Sequence, residues 1–124
     1  MDLTLVLLKP DCLDKKTVGE VIRRFEQHGL EICGCKMLTF SLDLLQVHYA
    51  HILSHPVFPK LATYMQSRPV IALALKGDNC VAHVRELVGP TDSKRAQKGT
   101  IRGDLGEDSM RNIVHASDSK HNAA

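Results

Sequence analysis

His115 closes a short apolar run, Asn112 to His115, that follows a long stretch without hydrophobic periodicity, Gly89 to Met110, carrying Thr91, Lys94, Arg95, Lys98 and Arg102. An imidazole has an unperturbed pKa of about 6.5, so at neutral pH one ring nitrogen is unprotonated and can attack an electrophile. A phosphoryl group in transit spreads negative charge over its oxygens and is stabilised by cations and backbone donors. A nucleophilic histidine beside a polar, basic loop has the residue types for that chemistry. Lys9, at the end of the first apolar run and followed by Pro10 and Asp11, adds a compact positive charge. Taken singly, a histidine at a strand end reads sooner as a satisfied structural residue, and a lone lysine or arginine as a solvated surface charge.

The chain has 124 residues, 44% of them hydrophobic, which suits one domain with one core and is too short for two. Sixteen Lys plus Arg against 14 Asp plus Glu leave a net charge of +2, too balanced to argue for nucleic acid or an acidic membrane. No apolar run approaches the roughly 20 residues of a membrane span, and the Met-Asp-Leu-Thr start lacks a signal-peptide pattern, so a cytoplasmic protein is expected. Cys12, Cys33, Cys35 and Cys80 match neither paired zinc ligands nor a secreted disulfide framework. They read as free thiols. Cys33 and Cys35 could ligate something from one side of a strand, but small buried hydrophobes are the simpler reading.

Positioning these groups requires a set of elements that the pattern supplies. Leu3 to Lys9 reads as a buried strand ending in a turn at Pro10-Asp11. Thr17 with Glu20 has the form of a capping box, followed by Val18, Val21, Ile22 and Phe25 at helical spacing and by Gly29 as a stop. Leu30 to Phe40 reads as a second strand whose phase breaks at Gly34. Ser41 caps a helix bearing Leu45, His48, Tyr49 and Ile52, and a short helix runs from Phe58 to Gln66. Pro69 to Leu75 is a third strand, and Lys76-Gly77-Asp78 leads into a helix with Val81, Val84, Leu87 and Val88. The stretch from Gly89 to Met110 is long enough to be functional. A last strand, Asn112 to His115, precedes a helix beginning at Ser117. This order fits an α+β, ferredoxin-like (split βαβ) sandwich, with a four-stranded antiparallel sheet and helices on one face.

Three segments carry a more specific signal: Lys9-Pro10-Asp11, Gly99-Thr100-Ile101-Arg102-Gly103-Asp104, and Arg111 to Ser119 with His115 at its centre. From Thr4 to the end the chain resembles the nucleoside diphosphate kinase family. The resemblance implies a ping-pong kinase in which His115 takes the γ-phosphoryl group of a nucleoside triphosphate such as ATP and hands it to a nucleoside diphosphate. It implies that Lys9, Arg85 and Arg102 handle phosphate, that Thr91 and Asn112 make polar contacts to phosphate and ribose, and that Tyr49 lies beside them, although a tyrosine on an amphipathic helix reads equally as core material. Ser117 matches the hydroxyl that orients the histidine. The base would lie against Val57, where the family carries a phenylalanine; Phe58, one place on, reaches the base only by shifting inward, and core packing is the preferred reading for it. Asp118 matches an aspartate that aids the metal or holds the loop. Lys94, Arg95 and Lys98 match no catalytic position, and His51, His55, Cys12 and Met110 receive no role. The implied cofactor is Mg²⁺ arriving with the nucleotide, with no protein metal cage, and the implied assembly is a homo-oligomer, tetramer or hexamer, needing neither nucleic acid nor membrane. A helper glutamate would fall just past Ala124, so the single domain, residues 1–124, reads as cut short in its last helix. Val57 and the missing glutamate leave an alternative, a catalytically weak nucleotide-binding regulatory protein on the same scaffold.

Overall fold

A computed structural model describes residues 2–48, 50 and 53–116. The apolar runs form strands β1 (Asp2–Leu8), β2 (Glu31–Leu38), β3 (Val70–Gly77) and β4 (Val114–Ala116), in the spatial order β2-β3-β1-β4. Every neighbouring pair is antiparallel. Because β1 lies between β3 and β4, the residues that follow it emerge beside the start of β4, with Leu7 opposite His115 and Leu8 opposite Val114. Sequence order thus brings the Lys-Pro-Asp segment and the histidine segment, a hundred residues apart, to one end of the sheet.

Side chains alternate across a strand, and the two resulting faces carry separate apolar clusters. Val6 and Leu8 of β1 and Leu73 and Leu75 of β3 pack with Val21 and Phe25 of helix α2 (Val18–Gln27) and Val84 and Val88 of α5 (Cys80–Val88). Leu7 and Val70 point to the other face, where they meet Leu45 of α3 (Leu42–His48) and Phe58, Leu61, Tyr64 and Met65 of α4 (Phe58–Gln66). Helices on one face only is therefore corrected: α3 and α4 cover the second. Each wholly buried large side chain, Phe25 or Leu8 for example, contributes about 1.5–3 kcal/mol.

Most expected elements are present, with differences that have local causes. Pro10–Asp14 is a helix, α1, with Pro10 in its first turn, where a missing N–H costs nothing. The stretch Gly89 to Met110 contains a 3₁₀ turn at Ser93–Arg95 and a short helix α6 (Ile101–Leu105). The capping box at Thr17 does not form. Thr17 has φ −105° and ψ 9°, not the extended backbone of an N-cap, and its hydroxyl donates to the carbonyl of Cys12 at 3.1 Å. Glu20 pairs instead with Arg23 at 2.8 Å and Arg24 at 2.7 Å. Gly29 ends α2 at φ +83°, as its type allows. Ser41 does cap α3, accepting from the amide of Leu44 at 3.1 Å. The phase break in β2 is a register shift between Ile32 and Gly34. Cys33 and Cys35, read as buried, are exposed, because β2 is an edge strand; Cys12 and Cys80 are buried. Ile52, Tyr49, His51 and the helix expected from Ser117 lie outside the described residues.

Candidate active site

Lys9 follows the last residue of β1, and its amide donates to the carbonyl of Ile113 at 2.8 Å, which fixes the two chain segments against each other. Its side chain is 6% exposed, and its ammonium donates to the carbonyl of Met110 at 2.5 Å and to Asn112 Oδ1 at 2.8 Å. Burial pushes Lys9 down to about 8; the charge of Asp11 opposes the shift, that of Arg102 adds to it, and that of Asp108 opposes it. The carbonyl of Met110 is presented by a tight turn in which Asp108 Oδ1 accepts from the amides of Met110 at 2.9 Å and Arg111 at 2.7 Å. Those two amides hold the Asp108 carboxyl below its ordinary range.

Asn112 is buried, and its amide nitrogen donates to the carbonyls of Thr91 at 2.8 Å and Ser109 at 3.1 Å. One amide thus ties the basic loop to the β4 segment while its oxygen holds Lys9. Arg102, one residue into α6, is also buried and donates to three carbonyls: Gly89 at 3.0 Å, Val114 at 2.7 Å and Asn112 at 3.3 Å. A guanidinium has five N–H donors, so others are left for an incoming anion. Burial and the charge of Arg85 bring Arg102 to about 10, still protonated at neutral pH. Helix α6 that carries it is capped by Thr100, which accepts from the amide of Gly103 at 3.0 Å, and is tied to α2 by Asp104 and Arg24 at 2.9 Å.

These groups line one cavity of about 350 Å³: Lys9, Thr91, Arg102, Asn112 and His115 on its polar side, Val57, Leu61 and Met110 on its apolar side. His115 reaches it because it shares with Leu7 the sheet face that α4 covers. Val57, at the start of α4, is half-buried in the wall. Phe58 is buried in the core cluster with Leu45 and Met65, the packing role preferred for it, and is not among the cavity residues. Arg85 is exposed on α5; its guanidinium donates to the carbonyl of Ala116 at 3.5 Å, and it lines a neighbouring cavity of about 480 Å³ with Arg95 and Thr100. Lys94, Arg95 and Lys98 are solvent-exposed, as read. Tyr49, Ser117 and Asp118 lie outside the described residues. Leu61, Ser109 and Met110 line the cavity without a signal in the sequence that marks them. Asp11, the third residue of the Lys-Pro-Asp motif, is 3% exposed and lies outside the cavity lining.

Among the described residues no carboxylate lines the cavity, and no group of three or more His, Cys, Asp or Glu side chains is placed to hold a metal ion. What the site offers is a set of cations and amides converging on a polyanion-sized space, an apolar wall, and an imidazole at its edge.

Comparison with known proteins bears on that arrangement. Residues 2–124 match the family model described as nucleoside diphosphate kinase. The nucleoside diphosphate kinase of Methanosphaera stadtmanae is 46% identical over 120 residues, covering 97% of this chain and 79% of its own length. That of Archaeoglobus fulgidus is 46% identical over 123 residues, 99% of this chain and 82% of its own length. Among solved structures, the Encephalitozoon cuniculi nucleoside diphosphate kinase superposes with a TM-score of 0.95 at 36% identity, over 99% of this chain and 84% of that one. A Halobacterium salinarum nucleoside diphosphate kinase in complex with CDP superposes with a TM-score of 0.92 at 37% identity, over 94% and 77%. With its fold, its motifs and nearly its whole length accounted for in this way, the chain belongs to the nucleoside diphosphate kinase family of phosphotransferases.

Proposed function

We propose that the chain passes a γ-phosphoryl group from a nucleoside triphosphate to a nucleoside diphosphate through a phosphohistidine on His115. The observation that carries this reading is that His115 shares one cavity with Lys9, Arg102, Thr91 and Asn112. Lys9 and Arg102 offset the charge on the transferring group, Arg85 approaches from the end of β4, and Thr91 supplies a polar edge. The imidazole attacks phosphorus, the diphosphate leaves, and a second diphosphate takes the group back along the same path. Ser117 orients the ring and Tyr49 flanks the phosphates in this reading. Val57 and Leu61 cover the base with apolar surface and give no hydrogen-bonding code, so base identity matters little. Mg²⁺ arriving with the nucleotide would supply further neutralisation of the phosphate charge beside Lys9 and Arg102.

The family resemblance and an open sheet edge support a homo-oligomer. Met37 on the β2 edge is 60% exposed, an apolar side chain beside unpaired strand groups that a second copy of the chain covers; Leu42, Leu44 and Val47 on α3 are exposed as well. Cysteines held as thiols support a cytoplasmic location, to be checked by fractionation, and no described helix is long and apolar enough to cross a membrane.

Incubation with γ-labelled ATP tests the central step. The expected product is an acid-labile, alkali-stable label on His115 that chases to an added diphosphate. A stable, non-chasing label, or none, removes the reading and favours a binding protein.

A further inference from the structure

The most unusual backbone in the site belongs to a residue with no role so far. Ile113 is β-branched and wholly buried, yet has φ +74°, where such side chains are rare. The amide of Val114 donates to the carbonyl of Asn112 at 2.8 Å across it, which makes Ile113 the centre of a γ-turn of the strained, positive-φ kind. A strained conformation persists only where its surroundings over-determine it. Here both peptide groups of Ile113 are held from β1 and α1: its carbonyl accepts from the amide of Lys9 at 2.8 Å, and its amide donates to Asp11 Oδ2 at 2.9 Å.

Asp11 is itself held. Its other oxygen accepts from the Tyr64 hydroxyl, and its amide donates back to that hydroxyl at 3.2 Å. Tyr64, buried on α4, has the guanidinium of Arg111 5.2 Å from its ring centroid on the chain just before the turn. Burial, then the Asp11 carboxylate, push its phenol above the ordinary range, so it stays a donor at any working pH. A carboxylate bridging one hydroxyl and one strained amide, 102 positions apart in sequence from the latter, links three elements at the point where the chain turns into β4.

We propose that Asp11, backed by Tyr64, is a positioning residue: it holds Ile113 in the γ-turn, and the turn sets the angle at which Asn112 and, two residues on, His115 enter the cavity. Relaxation of Ile113 to negative φ re-aims Asn112 away from Lys9 and rotates the start of β4, and small misplacements of a reacting group lower rate steeply. This inference rests on His115 as the phosphoryl carrier.

Three variants of the full chain test it: Asp11→Leu removes both acceptors, Tyr64→Phe removes the support, and Asp11→Asn keeps an oxygen for Ile113 and an amide group for the Tyr64 oxygen. For folded protein well below its melting temperature, Asp11→Leu is expected to lower kcat by about 30-fold or more and Tyr64→Phe by about fivefold, each with KM changed less than about threefold. Asp11→Asn is expected to restore most of the kcat lost in Asp11→Leu. Amide hydrogen exchange at Ile113 should speed up at least about tenfold in the first two. Wild-type kcat in folded Tyr64→Phe and Asp11→Leu overturns the proposal, as does a lost kcat with unchanged exchange at Ile113. If Asp11→Leu fails to fold, Tyr64→Phe and Asp11→Asn carry the test. Absence of transfer in the wild type overturns the reading of His115 and with it the catalytic part of this inference; it is told apart from failure of the clamp by the exchange measurement, which needs no activity.

Discussion

Lys9 shows how one residue acquires chemistry from its surroundings. Burial brings its ammonium down to about 8, against 10.5 in a free chain. The unfolded chain therefore holds more protons between those two values, and Lys9 makes stability rise with pH in that window. Activity runs the other way. As pH climbs through about 8 the free site loses a phosphate-facing charge, so kcat/KM should fall with an apparent pKa near that value, and Lys9→Arg should lose this limb while lowering the rate; a flat profile for the wild type from pH 7 to 9 would refute it. Val57→Phe is expected to tighten nucleotide diphosphate binding by about 1 kcal/mol, roughly fivefold, by restoring a stacking surface on the cavity wall; an unchanged dissociation constant in titration calorimetry counts against Val57 as the base contact. That Lys9, Arg102, Asn112 and His115 gather here was legible in the motifs, whereas Leu61, Ser109 and Met110 carry no such mark and Arg85 lines the neighbouring cavity. What these residues hold was not legible: that Asn112 ties Lys9 to the carbonyls of Thr91 and Ser109, or that Arg102 faces three carbonyls, depends on neighbours far away in sequence.

Among elements, legibility followed hydrophobic period. Helix α4 was read to the residue and α2 to within its ends, because their apolar spacing is long enough to register. Helices α1 and α6, five residues each, are too short for periodicity and are held by context, α6 by the Thr100 cap and the Arg24–Asp104 pair. The glycine inside α6 is a consequence of close packing. A Cβ on Gly103 would stand 2.0 Å from the carbonyl oxygen of Gln97, so the turn must open to admit it. Gly103→Ala should cost about 1–3 kcal/mol, roughly 4 °C of melting temperature per kcal/mol, and should lower activity further by moving Arg102. Unchanged melting and unchanged kcat would show that this turn yields without effect on the site.

For the whole molecule, the apolar run in the second half of β1 was a clue read only in part. Val6, Leu7 and Leu8 are buried in succession, which requires cover on both sheet faces, and α3 and α4 supply the second cover. The same reasoning marks what is not covered. β2 is an edge with Met37, Cys33 and Cys35 exposed, whereas Cys12 and Cys80 are buried and burial raises the Cys12 thiol to about 11. Thiolates, not thiols, react, so a disulfide reagent should label two of the four cysteines quickly in a dilute, dissociated chain. If a second copy covers β2, that fast labelling slows as protein concentration rises, in step with sedimentation of the assembled form. Met37→Lys places a charge on the surface to be covered and should keep both thiols fast at every concentration. Labelling that is independent of concentration in a sample that sediments as an oligomer would put the contact between copies elsewhere on the molecule.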